Sequence, residues 1–175
     1  MKSWSVRILF FFAGVIFAPL CAWAYLSFGR PPVAVADSAF PFERQIVRGP
    51  LHKRIDSELQ QAALQPDEST LLAGANTYKK ECAFCHGLPN SPAAIGQNMY
   101  PSVPQLWQHH RNGVVGVSDD PPGETFWRVK NGIRLTGMPA YQKTLSDTQM
   151  WQVSLLLASA AKPLPKSVQD ALSAK

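Results

Sequence analysis

Chemistry in this chain concentrates in one pentapeptide, Cys82-Ala-Phe-Cys85-His86, where two thiols stand three residues apart and an imidazole follows at once. Thiols at that spacing can add to the two vinyl groups of a haem while the adjacent imidazole meets the iron from the same side. The same C-x-x-C can instead be half of a zinc site or a dithiol redox pair. Zinc needs more ligands at paired spacing, and only His52, His109 and His110 remain. A redox pair needs a strand before the motif and a β-rich surround, which the helical pattern around residue 82 does not offer. Covalent attachment of one haem is the reading these residues favour.

A haem held by one imidazole needs a second axial ligand, and the candidates are Met138, Met99 and the pair His109/His110, with Met150 worse placed. Met138 sits in Asn131-Gly-Ile-Arg-Leu-Thr-Gly-Met138-Pro139-Ala-Tyr141, where Gly137 and Pro139 bracket it in a segment that cannot be regular helix. A loop can aim a thioether at a metal, whereas a methionine inside an apolar helix is usually core filler. Met138 is therefore preferred, with Met99 in the turn Asn98-Met99-Tyr100-Pro101 or a histidine as the alternative.

These residues must be positioned by helices. Asp67 or Ser69 can cap a helix through Leu71, Leu72, Ala75, Tyr78 and Lys79, which runs straight into Cys82. Ser146 or Asp147 can cap another through Trp151, Leu155, Leu156 and Ser159, whose spacing makes one apolar or small face. The pattern predicts an all-α domain.

At the level of motifs the chain resembles a class I cytochrome c, and most closely the single-haem domains of the third subunit of cbb3-type oxidases. The likeness covers roughly residues 70 to 162. It rests on Gly74-x3-Tyr78-x3-Cys82-x-x-Cys85-His86-Gly87, on Pro104-Gln-Leu106, on Trp127-Arg-Val-Lys-Asn-Gly132-Ile133-x4-Gly137-Met138-Pro139-Ala140-Tyr141, and on Leu145-Ser-Asp-x3-Trp151-x3-Leu155-Leu156. The resemblance implies one covalent haem c with Cys82 and Cys85 as attachment points and His86 and Met138 as iron ligands. It further implies that the last helix crosses the first near Gly74 and Tyr78 with Trp151 filling the gap, and that a proline carbonyl, that of Pro104, accepts the Nδ1 proton of His86. Trp107, Arg111 and Arg134 are candidate donors to the haem propionates. Residues 113 to 124 form a long insert relative to the family, and its Asp119-Asp120-Pro121-Pro122 reads as a solvated turn rather than a cation site.

Outside that region, residues 8 to 29 carry no charge and would span roughly 33 Å as a helix, enough for a bilayer core. Lys2 and Arg7 precede the run, and Trp23 and Tyr25 lie near its far end, which orients the rest of the chain outward. The competing reading is a cleaved signal peptide, with Pro19 breaking the helix and Ala22-Trp23-Ala24 as the cleavage site. A lipidated Cys21 is disfavoured because Leu20 precedes it. The expected organisation is an anchor over 1–29, an extended and amphipathic connector over 30–68, a cytochrome domain over 69–165 and a tail over 166–175. Within the connector, Pro31-Pro32 favours extended backbone, and Leu51, Ile55, Leu59 and Ala62/Ala63 predict a short helix between Pro50 and Pro66.

The formal charge of +5 is no argument for nucleic acid. Removing residues 1 to 30 leaves fourteen basic and twelve acidic residues, with no basic run or face. The expected protein is a membrane-tethered electron carrier, not an enzyme with a small-molecule substrate. It would lie on the periplasmic side of the inner membrane and dock weakly with redox protein partners. The alternatives are a fixed haem relay within a larger dehydrogenase or oxidase complex, a ligand-binding or peroxidatic cytochrome in which Met138 is displaced, and a haem that serves only to fold the domain.

Overall fold

The computed structural model describes residues 2–110 and 113–173 and divides into two compact units, one up to Glu43 and one from Arg44. Among the described residues all regular structure is helical, with isolated bridges only at Leu88/Ser91 and His109/Val115.

The first unit is built on α1 (Lys2–Phe28). Every side chain from Trp4 to Phe28 is exposed, and this stretch is long and apolar enough to cross a membrane. A helix that is apolar all round and has no protein cover is matched to hydrocarbon rather than to water. Pro19 lies inside the helix without ending it, so the break expected of a signal peptide is not seen. Beyond Phe28 the chain leaves regular structure through Pro31 and Pro32. It turns at Asp37, whose carboxylate accepts the Val33 and Ala34 N–H groups at 2.8 Å.

The connector helix differs from its sequence expectation. It is α2 (Glu43–Ser57) with Pro50 inside it, rather than a helix confined between Pro50 and Pro66. Ile55 is fully buried and Leu51 half-buried, whereas Leu59 lies beyond the helix end and is 46% exposed. The chain stops coiling where Glu58 finds a tertiary partner, the Trp127 indole.

Four helices make the domain core. α3 (Glu68–Glu81) starts at Asp67, whose side chain accepts the Thr70 N–H at 2.8 Å. α6 (Pro122–Asn131) begins with the prolines that close the insert. α7 (Asp147–Ala158) opens on a capping box in which Ser146 accepts the Gln149 N–H and Gln149 accepts the Ser146 N–H. α8 (Lys166–Ser173) follows; the residues read from sequence as a tail form this helix against α3, with Val168 and Leu172 buried. Two short helices, α4 (Ala83–His86) and α5 (Ala94–Gln97), lie between α3 and α6.

α3 and α7 cross at Gly74. A Cβ there would overlap the Gln152 carbonyl and stand 3.2 Å from Leu156 Cβ, so only hydrogen fits. Leu156, not Trp151, occupies this crossing. Trp151 instead stacks on Phe126 of α6, with ring centroids 4.1 Å apart, in a second cluster with Val129 and Met150. α7 is buried on more than its expected face because α3 covers one side and α6 the other; Met150, Val153, Ser154 and Leu157 are interior too.

Candidate functional site

The C-x-x-C-H motif occupies the junction of α3 and α4. Cys82 ends α3 by giving its N–H to the Tyr78 carbonyl, then caps α4. The single turn that follows brings the Cys85 and His86 N–H groups to the Cys82 carbonyl at 3.1 and 2.9 Å. Gly87 then leaves the helix at φ +74°, and its carbonyl accepts the Tyr78 hydroxyl at 2.8 Å. Both thiols are free. Burial above all, with the nearby Glu81 and Cys85, pushes the Cys82 thiol up to about 12. A dithiol redox centre needs the opposite shift, toward the thiolate.

The imidazole is oriented by the segment after the motif. His86 Nδ1 stands 2.9 Å from the Pro104 carbonyl. A carbonyl only accepts, so the ring proton is on Nδ1 and the Nε2 lone pair is left to bind a metal. Desolvation lowers the His86 pKa against the opposing Pro104 bond, which keeps the ring neutral. Gln105 locks the two segments together: its Oε1 accepts the Ala93 N–H at 2.7 Å and its Nε2 donates to the Cys85 carbonyl at 3.1 Å. Gln105 belongs to the Pro104-Gln-Leu106 motif, but no sequence pattern tells what a lone glutamine side chain bonds, and its role here is visible only in the fold.

Met138 lies, half-buried, in a loop stiffened from within. The Thr136 hydroxyl donates to the Ile133 carbonyl at 2.7 Å and accepts the Met138 N–H at 3.1 Å. Ile133 N–H returns to the Met138 carbonyl at 3.3 Å. Past the loop, the Tyr141 hydroxyl donates to the Glu81 carbonyl at 2.7 Å. The end of the methionine loop is thereby bonded to the residue before Cys82.

The alternative ligands sort by their surroundings. His109 Nδ1 and His110 Nε2 face the carbonyls of Gly113 and Gly116 in their own loop. Met150 is sealed in the α6–α7 cluster. Met99 is half-buried with its methyl against Gly137. Asp120 of the insert pairs at 3.4 Å with Arg128, which also holds Glu124 at 2.8 Å. Arg128 is thus engaged by both carboxylates, and no grouping of acidic, His and Cys side chains among the described residues suits a metal ion.

The residues present fit a haem. Two free thiols and an imidazole with an available Nε2 share one turn. The Trp107 indole, edge-to-face with Tyr78 at 5.7 Å, is buried with its Nε1–H unpartnered, as a donor reserved for an absent acceptor would be. Arg134 is exposed in the loop that carries Met138, while Arg111 lies outside the described residues.

A helical core crossing at a glycine, with a C-x-x-C-H turn tied to the end of a methionine loop by the Tyr141–Glu81 bond, is consistent with the architecture of a c-type cytochrome. Residues 69–155 match the family described as cytochrome C oxidase, cbb3-type, subunit III, and this domain belongs to that family. Membership implies covalently bound haem c and haem-based electron transfer. No curated protein and no solved structure matches the chain.

Proposed function

We propose that the protein is a membrane-tethered electron carrier with a single haem c, attached through Cys82 and Cys85 and ligated by His86 and Met138. The observation that carries this reading is the His86–Pro104 hydrogen bond, which presents Nε2 in ligating form at the end of the attachment turn. When bound, the haem supplies a ferric/ferrous couple, and methionine/histidine ligation places it at a higher potential than two histidines would. The chain's part is to hold the imidazole tautomer through Pro104, to aim the Met138 thioether by the Thr136 and Tyr141 bonds, and to offer Trp107 as a propionate donor. With His86 and Met138 both holding the iron, the bound haem would leave no position for oxygen or peroxide.

The continuous apolar α1 supports a retained anchor, and Lys2 and Arg7 before it support an extracytoplasmic, periplasmic domain at the inner membrane. Tethering raises the effective concentration of a membrane-bound redox partner, and small redox interfaces suit rapid exchange. A family described as an oxidase subunit favours a second reading, a fixed relay within a larger complex. In that case the chain copurifies from mild detergent with a catalytic subunit.

The ligand assignment is tested with Met138→Ala. The variant keeps covalent haem, gains carbon monoxide binding in the ferrous state and loses the weak near-infrared absorption of sulfur-to-ferric-iron charge transfer. A variant that stays six-coordinate and inert to carbon monoxide, while Met99 or His109/His110 variants do not, overturns it.

A further inference from the structure

Met99 and Gly137 are 38 positions apart in the chain, yet a Cβ built on Gly137 would overlap the Met99 methyl and lie 3.7 Å from its sulfur. Gly137 does not occupy the left-handed region that favours glycine. What excludes a side chain there is the Met99 thioether, not backbone conformation. The segment that carries Met99 is itself fixed to the attachment turn. A Cβ on Gly96 would stand 2.5 Å from the Cys85 carbonyl and 3.0 Å from Val103 Cβ. Val103 N–H bonds the Gly96 carbonyl at 2.9 Å, and Gln105 ties Cys85 to this segment from the other side. Met99 therefore reaches from a backbone seated on Cys85 to the residue immediately before Met138.

We propose that Met99 is a positioning residue for the sixth ligand: its side chain clasps the methionine loop at Gly137 and holds the Met138 sulfur on the iron. This rests on the assignment of Met138 as ligand. The flexible thioether suits the task, since it fills an irregular gap with apolar contact but contributes no competing polar group. The Tyr141–Glu81 bond holds the loop on its C-terminal side, and Met99 holds it at Gly137. Releasing the Met99 contact frees the loop to swing without breaking any of its internal hydrogen bonds.

The test uses the full-length haem protein and reads two properties that a purely structural role would not move: carbon monoxide association with the ferrous form, and the near-infrared sulfur–iron absorption of the ferric form. Met99→Ala raises the carbon monoxide association rate by about fivefold or more, the size expected for losing a contact between touching side chains, and weakens the near-infrared band. Met99→Leu, which refills the space with apolar atoms, stays near wild type. Gly137→Ala displaces the Met99 methyl and behaves like Met99→Ala. The double variant Gly137→Ala/Met99→Ala recovers toward wild type, because the new methyl takes the vacated place. The proposal is overturned if Met99→Ala lowers the melting temperature with both readouts unchanged, or if the two alanine effects simply add. Failure of the underlying assignment looks different: Met138→Ala would then retain the near-infrared band, and both Met99→Ala and Met99→Leu would abolish it.

Discussion

His86 illustrates how neighbouring groups fix one orientation and one tautomer of a single side chain. Its Nδ1 proton is committed to the Pro104 carbonyl, and the next residue, Gln105, binds backbone groups on both flanking segments. The imidazole cannot rotate without breaking into this network. Tyr141 plays the corresponding part on the methionine side. Burial raises its phenol to about 12, so it stays a neutral donor to Glu81 across the neutral range. Tyr141→Phe removes this one hydrogen bond and leaves the Glu81 carbonyl short of a partner, at a cost of about 1 kcal/mol. Thermal unfolding of the haem protein checks the loss, which appears as a lowered melting temperature with haem still covalently attached.

Among the elements, the crossing of α3 and α7 decides whether the domain forms. Gly74 lets the two backbones approach until the Gln152 carbonyl occupies the place of a side chain. Backbone cannot rotate away as a flexible side chain can, so Gly74→Ala must separate the helices and open the core around Tyr78 and Leu156. The expected destabilisation is about 1–3 kcal/mol, measured by denaturant unfolding, with a lower yield of haem-loaded protein. The capping box at the start of α7 is a smaller and more local device. Ser146→Ala removes the acceptor for the Gln149 N–H and costs about 1 kcal/mol, also read by denaturant unfolding, while the ferric spectrum is unchanged.

At the scale of the second unit, the residues that follow α2 are bonded to and packed on α6. Glu58 accepts the Trp127 indole N–H at 2.7 Å, and Gly123 of α6 packs so closely on the Gln60 carbonyl that a Cβ would overlap it. The indole bond is the main cause holding the Glu58 carboxyl below its ordinary value of 4.5. A carboxylate lowered on folding contributes stability that is complete above 4.5 and is lost as pH falls through the lower folded value. The protection of the α2 amides, corrected for the intrinsic pH dependence of exchange, should therefore fall below about pH 4.5, and Glu58→Gln should remove that acid dependence. At the other end of the chain, a retained α1 predicts that intact mass of the membrane-fraction protein equals the full chain plus one haem. A mass beginning near residue 25 would convert the tether into a soluble carrier.

What the sequence determined by itself was what is local. The C-x-x-C-H turn is contiguous, so the chemistry proposed for Cys82, Cys85 and His86 is readable without a fold. The caps at Asp67 and Ser146 act within three residues, and the apolar run of α1 is set by composition. Met138 stood out because Gly137 and Pro139 rule out helix around it. Tertiary structure decided what depends on approach between distant segments. The partner of Glu58 lies 69 residues away, so nothing near it marks the end of α2, and Pro50 misled because a proline can sit within a helix as well as start one. Val168 and Leu172 are too few to announce a core helix; they become interior because α3 presents a face to them. Trp151 turned to Phe126 because α6 offered a flat ring where the α3 crossing had no room beside Gly74. Met99 met Gly137 for the same reason: proximity across 38 residues is a property of the packed chain, written in no spacing of its own.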